Sequence, residues 1–133
     1  MCLITDWDKP RVAEEDIICY KWYGILNFVY VSPYQGKPMP DDNIITYSDL
    51  SEPEILYLSA VPKYTIEKGF HSFVNRIDAE RDSYKNRDAI IVSCIIPKGS
   101  RYYKGVFGDA ESYCSESIKI DKIKRFTNKL KLK

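Results

Sequence analysis

The stretch AIIVSCIIPKGSRYYKGVFGDAESYCSESIKI, residues 89–120, constrains the fold more than any other part of the chain. Its first run is apolar, rich in β-branched residues and stopped by Pro97, a length and composition that suit a buried strand. Lys98 and Gly99 make a turn, residues 102–107 read as an aromatic strand, and 108–115 as a polar loop. Residues 116–120 alternate, with Ile118 and Ile120 inward and Ser117 and Lys119 outward. We read the whole segment as the sheet core of a small domain.

A chain of 133 residues suits one continuous core and one domain. It divides into an N-terminal arm (1–15), a body (16–121) and a basic tail (122–133). No apolar run approaches the ~18 to 20 residues of a membrane span. The opening MCLITDWDKP lacks the basic start and apolar centre of a secretory signal, so the cytoplasm is the expected location. A net charge of +1 gives the body no pull toward nucleic acid. Residues 119–133 hold seven Lys or Arg against one Asp, a local +6. A basic end of this kind can touch phosphates, but a solvated end is the more ordinary role. Cys2, Cys19, Cys94 and Cys114 show no C-x-x-C spacing and there is one histidine, so no metal site is expected and the thiols read as small, mostly buried groups. Cys2 would become an N-terminal nucleophile if Met1 were removed, although an ordinary near-terminal residue is favoured.

Earlier in the chain, DIICYKWY (16–23) alternates and is rich in β-formers, and Gly24 separates it from a second β-prone run, ILNFVYV. The two form a hairpin or one long bent strand. SPYQGKPMPDD (32–42) is a loop with three prolines, of the length used for lids and binding loops. Helix-start chemistry marks 48–54, and 55–61 is a short helix or strand. YTIEKGFHSF contains a short strand, and Asn75 is a candidate cap for a helix through about residue 84, with Asp82 among the positions facing water. Ile123, Phe126 and Leu130 keep a helical spacing. Mostly strand with one clear helix and strands paired non-sequentially, this pattern predicts an α+β domain.

The order of the second half carries a resemblance. A G-F-x-S strand (Gly69, Phe70, Ser72), a short helix with Ala79, an apolar strand ending in I-P-K-G-S (Ile96 to Ser100), an aromatic strand and a last strand led by Ser115 and Glu116 resemble the ADP-ribosyltransferase-like fold. The chain is also similar to a group of small bacterial and phage proteins with G-F-H and I-P-K-G-S-x-Y-Y elements and no assigned activity. The resemblance implies a split, mostly antiparallel sheet with NAD, as substrate, in a cleft between its halves. It places Lys21 where the family grips NAD with Arg or His, Ser72 at the first serine of an S-T-S strand, and Glu116 at the catalytic glutamate. Phe73 stands in place of the threonine, and Cys114 in place of the usual Glu or Gln two residues before Glu116. That pattern implies either a lapsed enzyme or one with altered chemistry, and leaves catalysis open.

The residues themselves suggest a compatible chemistry. His71 titrates near neutrality in its unperturbed state and is the natural acid or base. Neighbours in a strand point to opposite faces, so His71 and Ser72 are not a catalytic pair, and one of them faces the cleft while the other does not. Glu116 could stabilise an oxocarbenium-like ribose. Tyr20, Lys21, His71, Ser72, Tyr102 and Glu116 are therefore the candidate lining of a nucleotide-sized cleft. If they converge, a small nucleotide ligand is implied. If they stand apart beside an exposed apolar patch, the chain reads as a non-enzymatic module holding a protein partner.

Overall fold

The computed structural model describes residues 2–33, 35–56, 60–86 and 88–127, with the backbone alone over 122–127. The apolar run that opens the core segment forms a seven-residue strand, Ile90–Ile96, buried at nearly every position as its β-branching predicts. In chain order the elements are β1 (Leu3–Thr5), β2 (Arg11–Val12), β3 (Ile17–Leu26), β4 (Val29–Val31), β5 (Ile45–Tyr47), β6 (Glu54–Leu56), β7 (Lys63–Ile66), β8 (Phe70–Phe73), α1 (Arg76–Asp82), β9 (Ile90–Ile96), β10 (Arg101–Phe107), β11 (Ala110–Ser115) and β12 (Ser117–Thr127). The strands form one sheet in the order β5-β12-β9-β3-β8-β11-β10-β1-β7-β6, with β2 against β10 and β4 against β3. Every pairing between these strands is antiparallel.

Strand accounts for 51% of the chain and helix for 6%, which overturns the expected α+β class: this is a mostly antiparallel β protein, and an ADP-ribosyltransferase-like architecture finds no support in it. The excess of strand comes from segments that local sequence marks as irregular. Residues 108–115, expected as a polar loop, contain β11, which pairs with β10 on one side and β8 on the other. The arm over 1–15 contains β1, inserted between β10 and β7. Gly105 permits that insertion, since a Cβ there would sit 2.0 Å from the Ile4 carbonyl oxygen. At the far end, β12 continues to Thr127 where a helical spacing was expected, and 128–133 lie outside the described residues.

Three buried clusters hold the sheet. On one face Cys19 and Tyr23 of β3 pack with Val92, Cys94 and Ile96 of β9, Phe70 of β8, and Ile118 and Ile120 of β12. On the other, Trp22, Phe73, Ile91 and Phe107 gather over Ala79, the buried residue of α1. Leu3, Ile66, Tyr103 and Cys114 form the third, under β1 and β7. The helix is two turns long, and its Asn75 makes no side-chain cap bond. Asp82, expected in water, accepts a hydrogen bond from the indole Nε1 of Trp22 at 2.7 Å.

Residues 16–31 are a hairpin, and its turn lies at Asn27 and Phe28 instead of Gly24. Both turn residues have positive φ, 51° and 66°, the requirement of a two-residue connection between twisted strands. Phe28 is fully exposed there, between exposed Leu26 and Val29. Among the described residues no helix is long and apolar enough to cross a membrane.

Candidate functional site

The sheet has a weak seam. β3 pairs with β9 over seven residues, from Ile17 opposite Ile96 to Tyr23 opposite Ile90. Its other neighbour, β8, is in register at Tyr20 and Phe73 alone among the described residues. Beyond that pair the two strands part, and β3 runs out into the hairpin. The gap is a cleft with an enclosed volume of about 40 Å³ that opens to solvent at its mouth. Lys21 and Trp22 line one side, His71, Ser72 and Phe73 the other, and Phe107, Ser112 and Asp82 complete the walls. Ser32, Pro33 and Gln35 cover it from the proline-rich loop.

Lys21 lies in the β3 alternation of Cys19, Lys21 and Tyr23, so its stem runs into the protein and only 8% of the residue is exposed. Its Nζ donates to the His71 carbonyl oxygen and sits 5.5 Å from the centre of the Tyr23 ring. Burial lowers its pKa, because taking an ammonium out of water favours the neutral amine. No carboxylate pairs with it among the described residues.

His71 is half-buried. Burial, with the Lys21 charge adding to it, pulls its pKa down to about 4, so the ring is neutral at pH 7. Nε2 lies 3.4 Å from the Ile66 carbonyl oxygen, which assigns the ring proton there. Nδ1 is then left as an acceptor, 3.5 Å from Gln35 Nε2. Ser72 is buried, and its Oγ has no nitrogen or oxygen partner. It is among the neighbours that lower the pKa of the Cys19 thiol.

His71 and Ser72 both line the cleft, although adjacent strand residues point to opposite faces. The reason is the seam: a gap at a strand edge is open to both faces, which a groove on one face is not. Of the six candidates, Lys21, His71 and Ser72 are brought together. Tyr20 stands at the junction, packed against the cluster over α1.

Glu116 and Tyr102 are elsewhere. Glu116 sits at the short corner between β11 and β12. Its Oε2 accepts from the Arg101 backbone N–H at 2.7 Å, and Oε1 accepts from Arg101 Nε at 3.1 Å. Burial raises its pKa, but the backbone and guanidinium hydrogen bonds and the charge of Arg101 outweigh it and hold the carboxyl below its usual range. Tyr102 meets Trp7 and Tyr113 edge-on, at 5.5 and 6.0 Å between ring centres. It borders a separate shallow groove along residues 11–17.

Sequence reasoning missed Trp22, Asp82 and Phe107 as lining residues. Gln35 was half-signalled, because its loop carried the marks of a binding loop. No local pattern identifies the others, which reach the cleft only through the packing of β3, β10 and α1. Among the described residues no three His, Cys, Asp or Glu side chains cluster as metal ligands.

In sum of its contacts, the cleft offers a buried cation, a neutral imidazole, a serine hydroxyl, a glutamine amide and the Asp82 carboxylate, which accepts from Trp22, between aromatic walls. Comparison with protein-family models, with curated proteins and with solved structures found no match to this chain, so the chemistry of the cleft stands on its own geometry.

Proposed function

We propose that this chain is a non-catalytic binding protein that holds a small carboxylate with an apolar ring or chain in the cleft between β3 and β8. The observation that carries this reading is Lys21, a buried ammonium facing a cleft with no carboxylate partner among the described residues. A buried charge without a counter-charge is costly, and an entering anion that supplies one is bound in part by relieving that cost. Ser72 and Gln35 add donors for its second oxygen, while Trp22, Phe73 and Phe107 suit an apolar body. The transferase reading needs Glu116 beside the same ligand, and that side chain is engaged by Arg101 outside the cleft. A cytoplasmic, reducing compartment suits the free thiols of Cys2, Cys19, Cys94 and Cys114.

The test is a thermal-shift titration with benzoate as the probe, beside NAD and beside benzyl alcohol as an uncharged control. A ligand that binds only the folded state raises Tm. Benzoate is expected to raise it in the wild type and to lose that effect in Lys21→Met. An equal rise in Lys21→Met, or equal rises with benzyl alcohol, overturns the anion reading. A rise with NAD alone restores the nucleotide reading in its place.

A second reading has its own observation. The β3–β4 hairpin carries Ile25, Leu26, Phe28 and Val29 exposed, in a stretch free of charged residues from Trp22 to Gly36. An exposed apolar patch of this kind marks contact with another protein. Self-association that disappears in Phe28→Ser, measured by sedimentation, is the outcome that favours it.

A further inference from the structure

Cys19 on β3 and Cys94 on β9 are directly opposed partners in the ladder. Opposed residues of an antiparallel pair share a face, with Cα atoms about 4.5 or 5.5 Å apart, inside the span of about 4.4 to 6.8 Å that a disulfide bridges. Both residues are completely buried in the cluster that joins β3, β8, β9 and β12. The Cys94 thiol donates to the Val92 carbonyl oxygen at 3.9 Å, and Ser72 and the Lys21 ammonium act on the Cys19 side.

The two sulfurs are unequal. Burial raises the Cys19 thiol, but the neighbouring Cys94 and Ser72 side chains and the charge of Lys21 outweigh it and bring the pKa below its ordinary value. Burial, reinforced by Cys19, pushes Cys94 well up. One sulfur is thus the better nucleophile, and the other a protonated neighbour held against it. The remaining cysteines lack this arrangement. Cys114 faces His71 across the β11–β8 ladder, with burial raising its thiol to about 12, and Cys2 is exposed.

We propose that Cys19 and Cys94 are a dithiol site that a small peroxide converts to a reversible cross-strand disulfide. The Cys19 thiolate attacks one oxygen of hydrogen peroxide and breaks the O–O bond. The departing hydroxide takes up the thiol proton as water, leaving a sulfenic acid on Cys19. Cys94 then attacks the Cys19 sulfur, the S–S bond forms, the S–O bond breaks, and the hydroxide leaves as water with the Cys94 proton. Two thiols lose two electrons, and one peroxide is reduced to two waters. Access fits a water-sized oxidant, because Cys19 is fully buried and Lys21 and Ser72, which act on its sulfur, line the cleft. Nothing in this pairing depends on what the cleft binds.

The experiment uses the full chain carrying Cys2→Ser, which removes the exposed thiol and intermolecular bridging. The folded protein is titrated with hydrogen peroxide, denatured, alkylated and mapped by mass spectrometry. The expected result is loss of the mass of two hydrogens, a peptide pair joining Cys19 to Cys94, and full reversal by dithiothreitol, at peroxide levels that leave Cys114 alkylatable. In Cys94→Ser, dimedone should label Cys19 as a trapped sulfenic acid; if that variant fails to fold, the mapping in Cys2→Ser decides. Both thiols still alkylatable when Cys114 has been oxidised, or a Cys19 sulfinic acid without the joined peptide, overturns the proposal.

Discussion

The seam between β3 and β8 and the corner between β11 and β12 each present one charged side chain, and they treat it in opposite ways. Lys21 at the seam is 8% exposed and meets a carbonyl oxygen, with no opposite charge in reach of an ion pair among the described residues. Glu116 at the corner is half-buried and is engaged by Arg101 through both its backbone and its guanidinium. A carboxylate satisfied in this way has little left for a ligand, and its pair near the surface contributes little to stability. A buried cation without a counter-charge is the reverse case: it costs stability and leaves an electrostatic demand for a ligand to meet. The proposed binding site therefore follows the unsatisfied charge, although both residues looked equally plausible by type.

The comparison breaks most sharply if the seam is opened. Phe73 is the residue paired with Tyr20, and its ring meets Phe107 edge-on at 6.1 Å. Phe73→Ala should cost about 3 to 5 kcal/mol in urea unfolding and abolish the benzoate response. A small loss would mean that the seam relaxes around the cavity.

Acid should act next most strongly, and at the seam. The folded-state pKa of His71, about 4, lies below the ordinary histidine value of 6.5. Below pH 6.5 the unfolded chain takes up a proton that the native ring refuses until pH falls to about 4. The contribution of His71 is thus fully present above pH 6.5 and is lost as pH falls to 4, by roughly 3 kcal/mol. His71→Gln should flatten unfolding free energy across that window, and an unchanged slope would assign it to other groups.

Removing the unpaired charge is expected to help. Lys21→Met keeps the stem and replaces the ammonium with an apolar end, so the urea midpoint should equal or exceed the wild type, by up to about 2 kcal/mol. Destabilisation would show that the bond to the His71 carbonyl outweighs the cost of burial. Glu116→Gln should do least of all. Its melting temperature should stay near that of the wild type and its benzoate response should be unchanged; a lost response would tie the corner to the cleft after all.

Much of the sheet was legible residue by residue. The β-branching of residues 90–96 and the alternation of 17–23 carry their strand character locally. The site was half legible: Lys21, His71 and Ser72 were recognisable by chemical type, and Gln35 by the loop that holds it. Glu116 was equally recognisable and equally well motivated, and nothing in its neighbours reveals that Arg101, 15 residues away, engages it. Polar β11 was illegible as a strand for a related reason. Its ladder bonds to β10 and β8 are made with residues distant in the chain, and they override the weak local preference of GDAESYCS.

By itself, then, the order of residues determined where strands and turns can form, because propensity and alternation act over a few neighbours. Which strands pair, and with them the seam at Tyr20 and Phe73, the approach of Cys19 to Cys94 and the isolation of Lys21 from every described carboxylate, was decided by the tertiary structure. These are contacts between residues about 50 to 75 positions apart, set by the burial of whole faces of the sheet, and no short window of sequence contains both partners.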